Sequence, residues 1–363
     1  MEYEARAGRR RSARGFRFVR ILICFAVPIC PVLGQEGDES SDIGREGVGL
    51  FDLEAPLIIA NNLSGRGLLD LDDPYPLAGL HLELPTNPFV TLAEGHAELT
   101  TAMIWSSSFG LSSGGDIEVD AEVFRFRVSG WYALSDAVYV GAAVPLVVRG
   151  PGVLDPLVDR FHSNLGLSDG GRNERSRNDY EIRVTRAGKT STLEQQGGLG
   201  NASLAAHWNI HPGGGSYPGV AVQTHLSLPT ASDGLGSDDM DFGVNVAISK
   251  EFLPKTFLHL VAGGSVRGDV RTEGLRYERY AYQLIAGIEW AVREELSLIL
   301  ESVSLSPLLE GTGFVADPRG YLGFGAKWEF TPAIELELGF IENVQPFKNS
   351  ADVSFNAAFT FHL

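Results

Sequence analysis

Residues 353–363, VSFNAAFTFHL, alternate without a break: Val353, Phe355, Ala357, Phe359, Phe361 and Leu363 form an apolar face, opposite Ser354, Asn356, Ala358, Thr360 and His362. A period of two belongs to a strand with one greasy side and one wet side. Soluble domains seldom end on such a strand, because chain ends fray into solvent. Barrels of the bacterial outer membrane commonly do, and this segment has the form their assembly machinery recognises, so that machinery is an expected partner.

The same arithmetic recurs upstream. Leu322, Phe324, Ala326, Trp328 and Phe330 alternate with Tyr321, Gly323, Gly325, Lys327 and Glu329, and after Thr331-Pro332 the series Ile334, Leu336, Leu338, Phe340 alternates with Glu335, Glu337 and Gly339. Paired carboxylates on one face need water there, so that face looks into a lumen and the other into lipid. Further spanning strands are expected near 97–106, 116–134, 137–148, 201–210, 219–228, 241–250, 256–267, 279–292 and 296–305. In 116–134 the outward set Phe124, Phe126, Val128 and Tyr132 gives way above to the apolar series Ile117, Val119, Ala121 and Val123. That change predicts a bulge, or a protrusion above the membrane, near Val123. The total is twelve, an even number as single-chain bacterial barrels require, with short turns at one end and longer connections at the other. With both termini periplasmic, the longer set is external. The rival architecture, a soluble β-sandwich, shares the alternation.

Composition agrees with a barrel: 43 Gly, 10% aromatic residues and a mean hydropathy near zero. Seven Arg precede the apolar run Ile21–Leu33, which is shorter than the roughly 20 residues of a spanning helix. Residues 1–34 therefore read as a cleaved secretory signal, not a lipoprotein anchor, since Ile precedes both Cys24 and Cys30. Those are the only cysteines, and their removal leaves a chain without disulfides or thiolate ligands. Losing seven Arg and two Glu moves the formal net charge from −17 to −22, which speaks against a nucleic-acid partner. Residues 35–95 have no sustained period and read as a leader or linker that either hangs in the periplasm, the expected placement, or folds back into the lumen; 96–363 is the barrel.

One connection is unusually long. Within 149–200, Gly152–Arg172 reads GVLDPLVDRFHSNLGLSDGGR, which fits a short amphipathic helix: Asp155 as cap, Pro156 in the first turn, a stripe of Leu157, Val158 and Phe161, and Gly166 at the end. Alternation at Tyr180, Ile182 and Val184 predicts an external hairpin. The positions Asp155, Phe161-His162, Gly166-Leu167 and Gly170–Arg172, with GGLGNASL at 197–204, resemble the bacterial domain-of-unknown-function family 3187, predicted outer-membrane barrels, over roughly residues 85–363. The resemblance implies an envelope barrel and no established activity. Asn201 stands where the family pattern has Asp.

The inward set Arg125, Arg127, His207, His225, Glu289, Glu301, Lys327, Glu329, Glu335 and Glu337 places charges of both signs around one lumen. In an open pore they would make a transverse field; in a sealed barrel they would pair. The expected role is a passive channel or uptake component for small hydrophilic solutes, needing no cofactor, in contact with outer-membrane lipid. Two alternatives remain: a lipid hydrolase using His225 with Ser227 or His162 with Ser163, and a non-transporting structural or adhesive barrel. An enzyme is the weaker reading. Asp155, Asp159 and His162, and likewise Asp238, Asp239 and Asp241, have spacings a metal could use, but capping and solvation account for them and no metal is expected.

Overall fold

The computed structural model describes residues 65–363 apart from 167–170, 173–175, 312 and 344–348. The signal segment 1–34 and residues 35–64 of the leader therefore lie outside the described residues. Twelve antiparallel strands close a cylinder: β1 (Ala97–Leu111), β2 (Ile117–Ser135), β3 (Val138–Gly150), β4 (Ser203–Gly214), β5 (Tyr217–Ser227), β6 (Asp241–Leu253), β7 (Thr256–Val266), β8 (Tyr280–Ala291), β9 (Leu296–Leu305), β10 (Arg319–Thr331), β11 (Ile334–Glu342) and β12 (Val353–His362). Each pairs with its sequence neighbours, and β12 returns to β1 from Glu98↔His362 to Ser107↔Val353, so no edge is left open. Five connections are tight and lie at one end, the turn end, with both ends of the barrel sequence; six longer ones lie at the other, the loop end.

The outer surface is apolar where alternation predicts it: Trp328, Phe359, Phe324, Leu300 and Trp208 are exposed, and Leu336 sits half-exposed between Trp328 and Phe359. The faces that a sandwich would bury between sheets are turned outward instead. Among the described residues no helix is long and apolar enough to cross a membrane.

Of the bulge or protrusion expected near Val123, the bulge is absent. Pairing of β1 with β2 runs unshifted from Ala97↔Tyr132 to Leu111↔Glu118, and Ile117, Val119, Ala121 and Val123 point inward on the same face as Arg125 and Arg127. What changes is the neighbour. Above Val123 the inward face meets an apolar dome of loop residues, including Ile182, Leu193, Tyr277, Leu308 and Val315. The strand edge is covered there too: β2 pairs from Ile117 to Asp120 with the strand Glu181–Arg186, half of the expected external hairpin with Lys189–Thr192. β3 is extended in the same way by Gln196–Leu199.

The largest departure concerns the leader. Residues 65–95, expected in the periplasm with the lumen as the alternative, run inside the barrel as a hairpin. The first limb rises from the turn end, a 3-10 turn at Ala78–Leu80 forms the tip, and the second limb descends to enter β1. Tyr75, Leu77 and Leu80 of the tip complete the dome, and Leu68, Leu69 and Leu71 pack against inward Ile285, Ile299 and Val303. Burying these leucines is what holds a segment with no secondary-structure period, a term the local pattern does not display. The wall makes room for them with glycine: a Cβ on Gly323 would stand 2.9 Å from Leu71 and one on Gly325 3.0 Å from Leu69.

Helix α1 (Asp155–Leu165) follows Leu154, so Asp155 is its first residue and not its cap; Gly166, at φ +68°, ends it with its N–H on the His162 carbonyl. The buried stripe is Leu154, Val158 and Phe161, while Leu157 is exposed. The stripe lies on the outside of the barrel wall, where Phe161 meets Phe340 with ring centroids 5.4 Å apart and Val158 covers Val353.

Candidate functional site

Strand parity carries all ten expected charged and polar residues to the inner face, and most of them grip the hairpin. On β2, Arg127 pairs with Asp70 and with Asp72 (2.5 Å), and Arg125 with Glu83 and with Asp72 (3.7 Å). At the turn end Arg66 spans Glu329 (2.7 Å) and Glu335 (2.8 Å). Lys327 lies 3.4 Å from Glu337 and donates to the Arg66 carbonyl at 3.1 Å. Buried pairs of this kind satisfy charges that the low-dielectric lumen would otherwise penalise.

Glu289, Glu301 and His207 do not border free space. The Glu289 carboxylate accepts the Arg66 and Gly67 N–H groups at 2.9–3.0 Å together with the Ser297 hydroxyl, and lies 3.0 Å from His259 Nε2. Glu301 accepts from Leu69 N–H at 3.1 Å. His207 stacks on Tyr139 and is 2.8 Å from Asn209 and 3.1 Å from Gln223, beneath the descending limb.

What the hairpin leaves open is a cavity of about 440 Å³. Its lining reaches from Glu98, Glu329 and His362 near the turn end, past Arg125, Arg127 and His225, to Asn201 and Ser227 towards the loop end. Seven carboxyl groups and four Arg or Lys side chains border it.

The hydrolase geometries are not assembled. His225 Nε2 lies 3.1 Å from Gln223 Oε1, its ring partner in place of Ser227, and Ser163 donates to the Arg160 carbonyl. The metal candidates are dispersed as well: Asp155 pairs with Arg172, Asp159 with Arg177 at 2.9 Å, and Asp241 is 3.0 Å from His81 and accepts Leu82 N–H. No group of metal-ligating side chains occurs among the described residues.

The long-loop motif is brought together on the opposite side of the wall. Arg172 reaches Asp155, Asp352 (2.5 Å) and the Ser107 hydroxyl (3.0 Å), with its guanidinium 5.2 Å from the Phe109 ring centroid. Asp155 also accepts Asn178 N–H at 2.7 Å. Burial pushes the Asp352 carboxyl up and Arg172 draws it part of the way back; the Glu342 carboxylate, 3.6 Å off, holds the His162 imidazole above its ordinary value. Phe161 and Gly166 shape the helix that covers this clamp; Leu167 and Gly170 lie outside the described residues. Asn201 at the family's Asp position ties down the loop after β5, accepting Thr230 and Ala231 N–H and donating to Ser237.

Sequence reading missed Arg66, Asp70, Asp72, Glu83, His81 and His259. One signal was available: Asp70 and Asp72 are two apart, as are Arg125 and Arg127, so two extended segments could match charge to charge.

The sequence profile of the family described as "Protein of unknown function (DUF3187)" matches residues 58–363. No curated protein matches the chain. Among solved structures, the COG4313 outer membrane channel from Pseudomonas putida F1 superposes with a TM-score of 0.53 at 14% identity, over 77% of this chain and 100% of that one. The Pseudomonas putida toluene transporter TodX gives 0.40 at 11% identity, over 82% and 99%. The former likeness extends to the fold.

Proposed function

Because the chain belongs to the DUF3187 family, whose description carries no activity, its function has to be read from its own lumen, and we propose that it is an outer-membrane channel for small hydrophilic solutes with a preference for cations. The observation that carries the reading is the cavity bordered by an excess of carboxyl groups inside a cylinder whose outer face is apolar. A structural or adhesive barrel has no need of a wet interior of that size. The name of the COG4313 relative, an outer membrane channel, points the same way. In this reading the loop end faces outward, and the hairpin narrows the lumen, so passage is slow and selective.

Planar-bilayer recording of the refolded chain tests this. The expected result is a small conductance whose reversal potential in a salt gradient shows cations passing several-fold better than anions, the preference shrinking as added salt screens the fixed charges. Anion preference, or no current at any voltage, would remove the reading.

A further inference from the structure

We propose that the inner wall of the barrel is a binding surface for extended, acidic peptide, occupied here by the chain's own residues 66–90. The inference goes beyond the channel reading: the peptide is a ligand of the wall, not the solute that passes.

The wall holds the hairpin through its main chain. On the ascending limb, carboxylates of β8, β9 and β11 accept backbone donors: Arg66 and Gly67 N–H on Glu289, Leu69 N–H on Glu301, and Asp70 N–H on Glu337 at 2.9 and 3.0 Å. On the descending limb the chemistry is inverted. Carboxamides donate to carbonyls: Asn245 and Gln283 to Pro85 at 3.1 and 3.2 Å, and Gln223 to Pro88 at 3.1 Å. Pro85 and Pro88 have no N–H to offer, and the wall beside them supplies donors. None of these contacts asks for a particular side chain, so any extended chain of amides in the same register can make them, as peptide-binding grooves do elsewhere. Charged acceptors strengthen the N–H bonds of the ascending limb.

Selection then comes from alternate side chains. Leu69 and Leu71 enter the spaces left by Gly325 and Gly323, and Asp70 and Asp72 meet Arg127. The preferred ligand is therefore a short extended segment with acidic residues two apart and apolar residues between them. Tethering gives the cis segment an effective concentration of about millimolar, so a free peptide competes poorly until the hairpin is loosened.

The probe is a fluorescein-labelled octapeptide with the order of residues 66–73, Arg-Gly-Leu-Leu-Asp-Leu-Asp-Asp, and a scrambled peptide of equal composition is the control. Fluorescence anisotropy follows binding to the refolded full chain. Asp70→Asn with Asp72→Asn weakens the hairpin and leaves the wall intact. The octapeptide is expected to bind this variant on the order of ten-fold more tightly than it binds the unaltered chain, and the scrambled peptide about ten-fold more weakly than the octapeptide. Equal binding of the two peptides, or none to a variant whose heat-modifiable migration shows a closed barrel, overturns the proposal. Should an introduced Leu69→Cys, with Cys24 and Cys30 replaced by Ser, stay protected from maleimide, showing the hairpin still docked, a full-length chain with a Gly-Ser octamer at 66–73 decides by the same criterion. Peptide binding without current would keep this proposal and remove the channel reading; a cation current without peptide binding would do the reverse.

Discussion

Two segments cling to the barrel wall by the same device on opposite sides. Inside, Arg127 of β2 holds Asp70 and Asp72 of the hairpin; outside, Arg172 joins Asp155 at the start of α1 to Asp352 just before β12. Each is one guanidinium between two carboxylates, which suits its planar fork of donors. They differ in surroundings. The Arg172 side chain is 6% exposed beneath a helix and an aromatic ring, whereas Arg127 is 13% exposed and borders a cavity. The outer clamp fastens a strap under a helix, while the inner one holds the hairpin beside a cavity.

That contrast is sharpest under truncation. Arg172→Ala strands the buried Asp155 and the partly buried Asp352, and we expect a loss of about 3 kcal/mol in strap attachment, on the order of a hundred-fold more opening, because an unpaired buried charge costs most where water is excluded. Trypsin cleavage at Arg177 in the folded barrel reads it; a rate unchanged from the unaltered chain would break the comparison. Arg127→Ala exposes its partners to a wet cavity, so the expected cost is smaller, about 2 kcal/mol, or roughly thirty-fold more hairpin release. Residues 31–363 contain no cysteine, so with Cys24 and Cys30 replaced by Ser, maleimide labelling of an introduced Leu69→Cys reports that release directly. An effect larger than that of Arg172→Ala would reverse the ranking.

The smallest effect concerns pH. His162 of the strap is held above its ordinary 6.5 by Glu342. A raised folded value means the contact contributes fully below about pH 6.5 and is lost as pH climbs through the raised value. Proteolysis of the strap should thus be slower near pH 6 than near pH 8, by less than about 1 kcal/mol, and His162→Ala should abolish the difference.

Much of the cylinder was legible because strand alternation is a local property: every residue two steps along returns to the same face, and a lipid-facing side must be apolar wherever it falls. Val353–Leu363 and Leu322–Phe330 needed no distant information. The reading failed where a face changed its neighbour without changing its phase. Ile117–Val123 mimics a bulge because the inward side passes from charged lumen to apolar dome, and which of these a side chain meets depends on loops more than 150 residues away, such as those of Tyr277 and Val315.

The amino-acid order by itself determined the twelve spans, the inward charges and the end that carries the long connections, since each follows from periodicity and from the cost of placing charge in hydrocarbon. Only the tertiary structure decided that residues 65–95 lie within the cylinder and α1 lies against its outside. Leu68, Leu69, Asp70 and Leu71 repeat no pattern of their own; their place is set by glycines on β8 and β10, by Arg127, and by three wall carboxylates that meet only when the barrel closes.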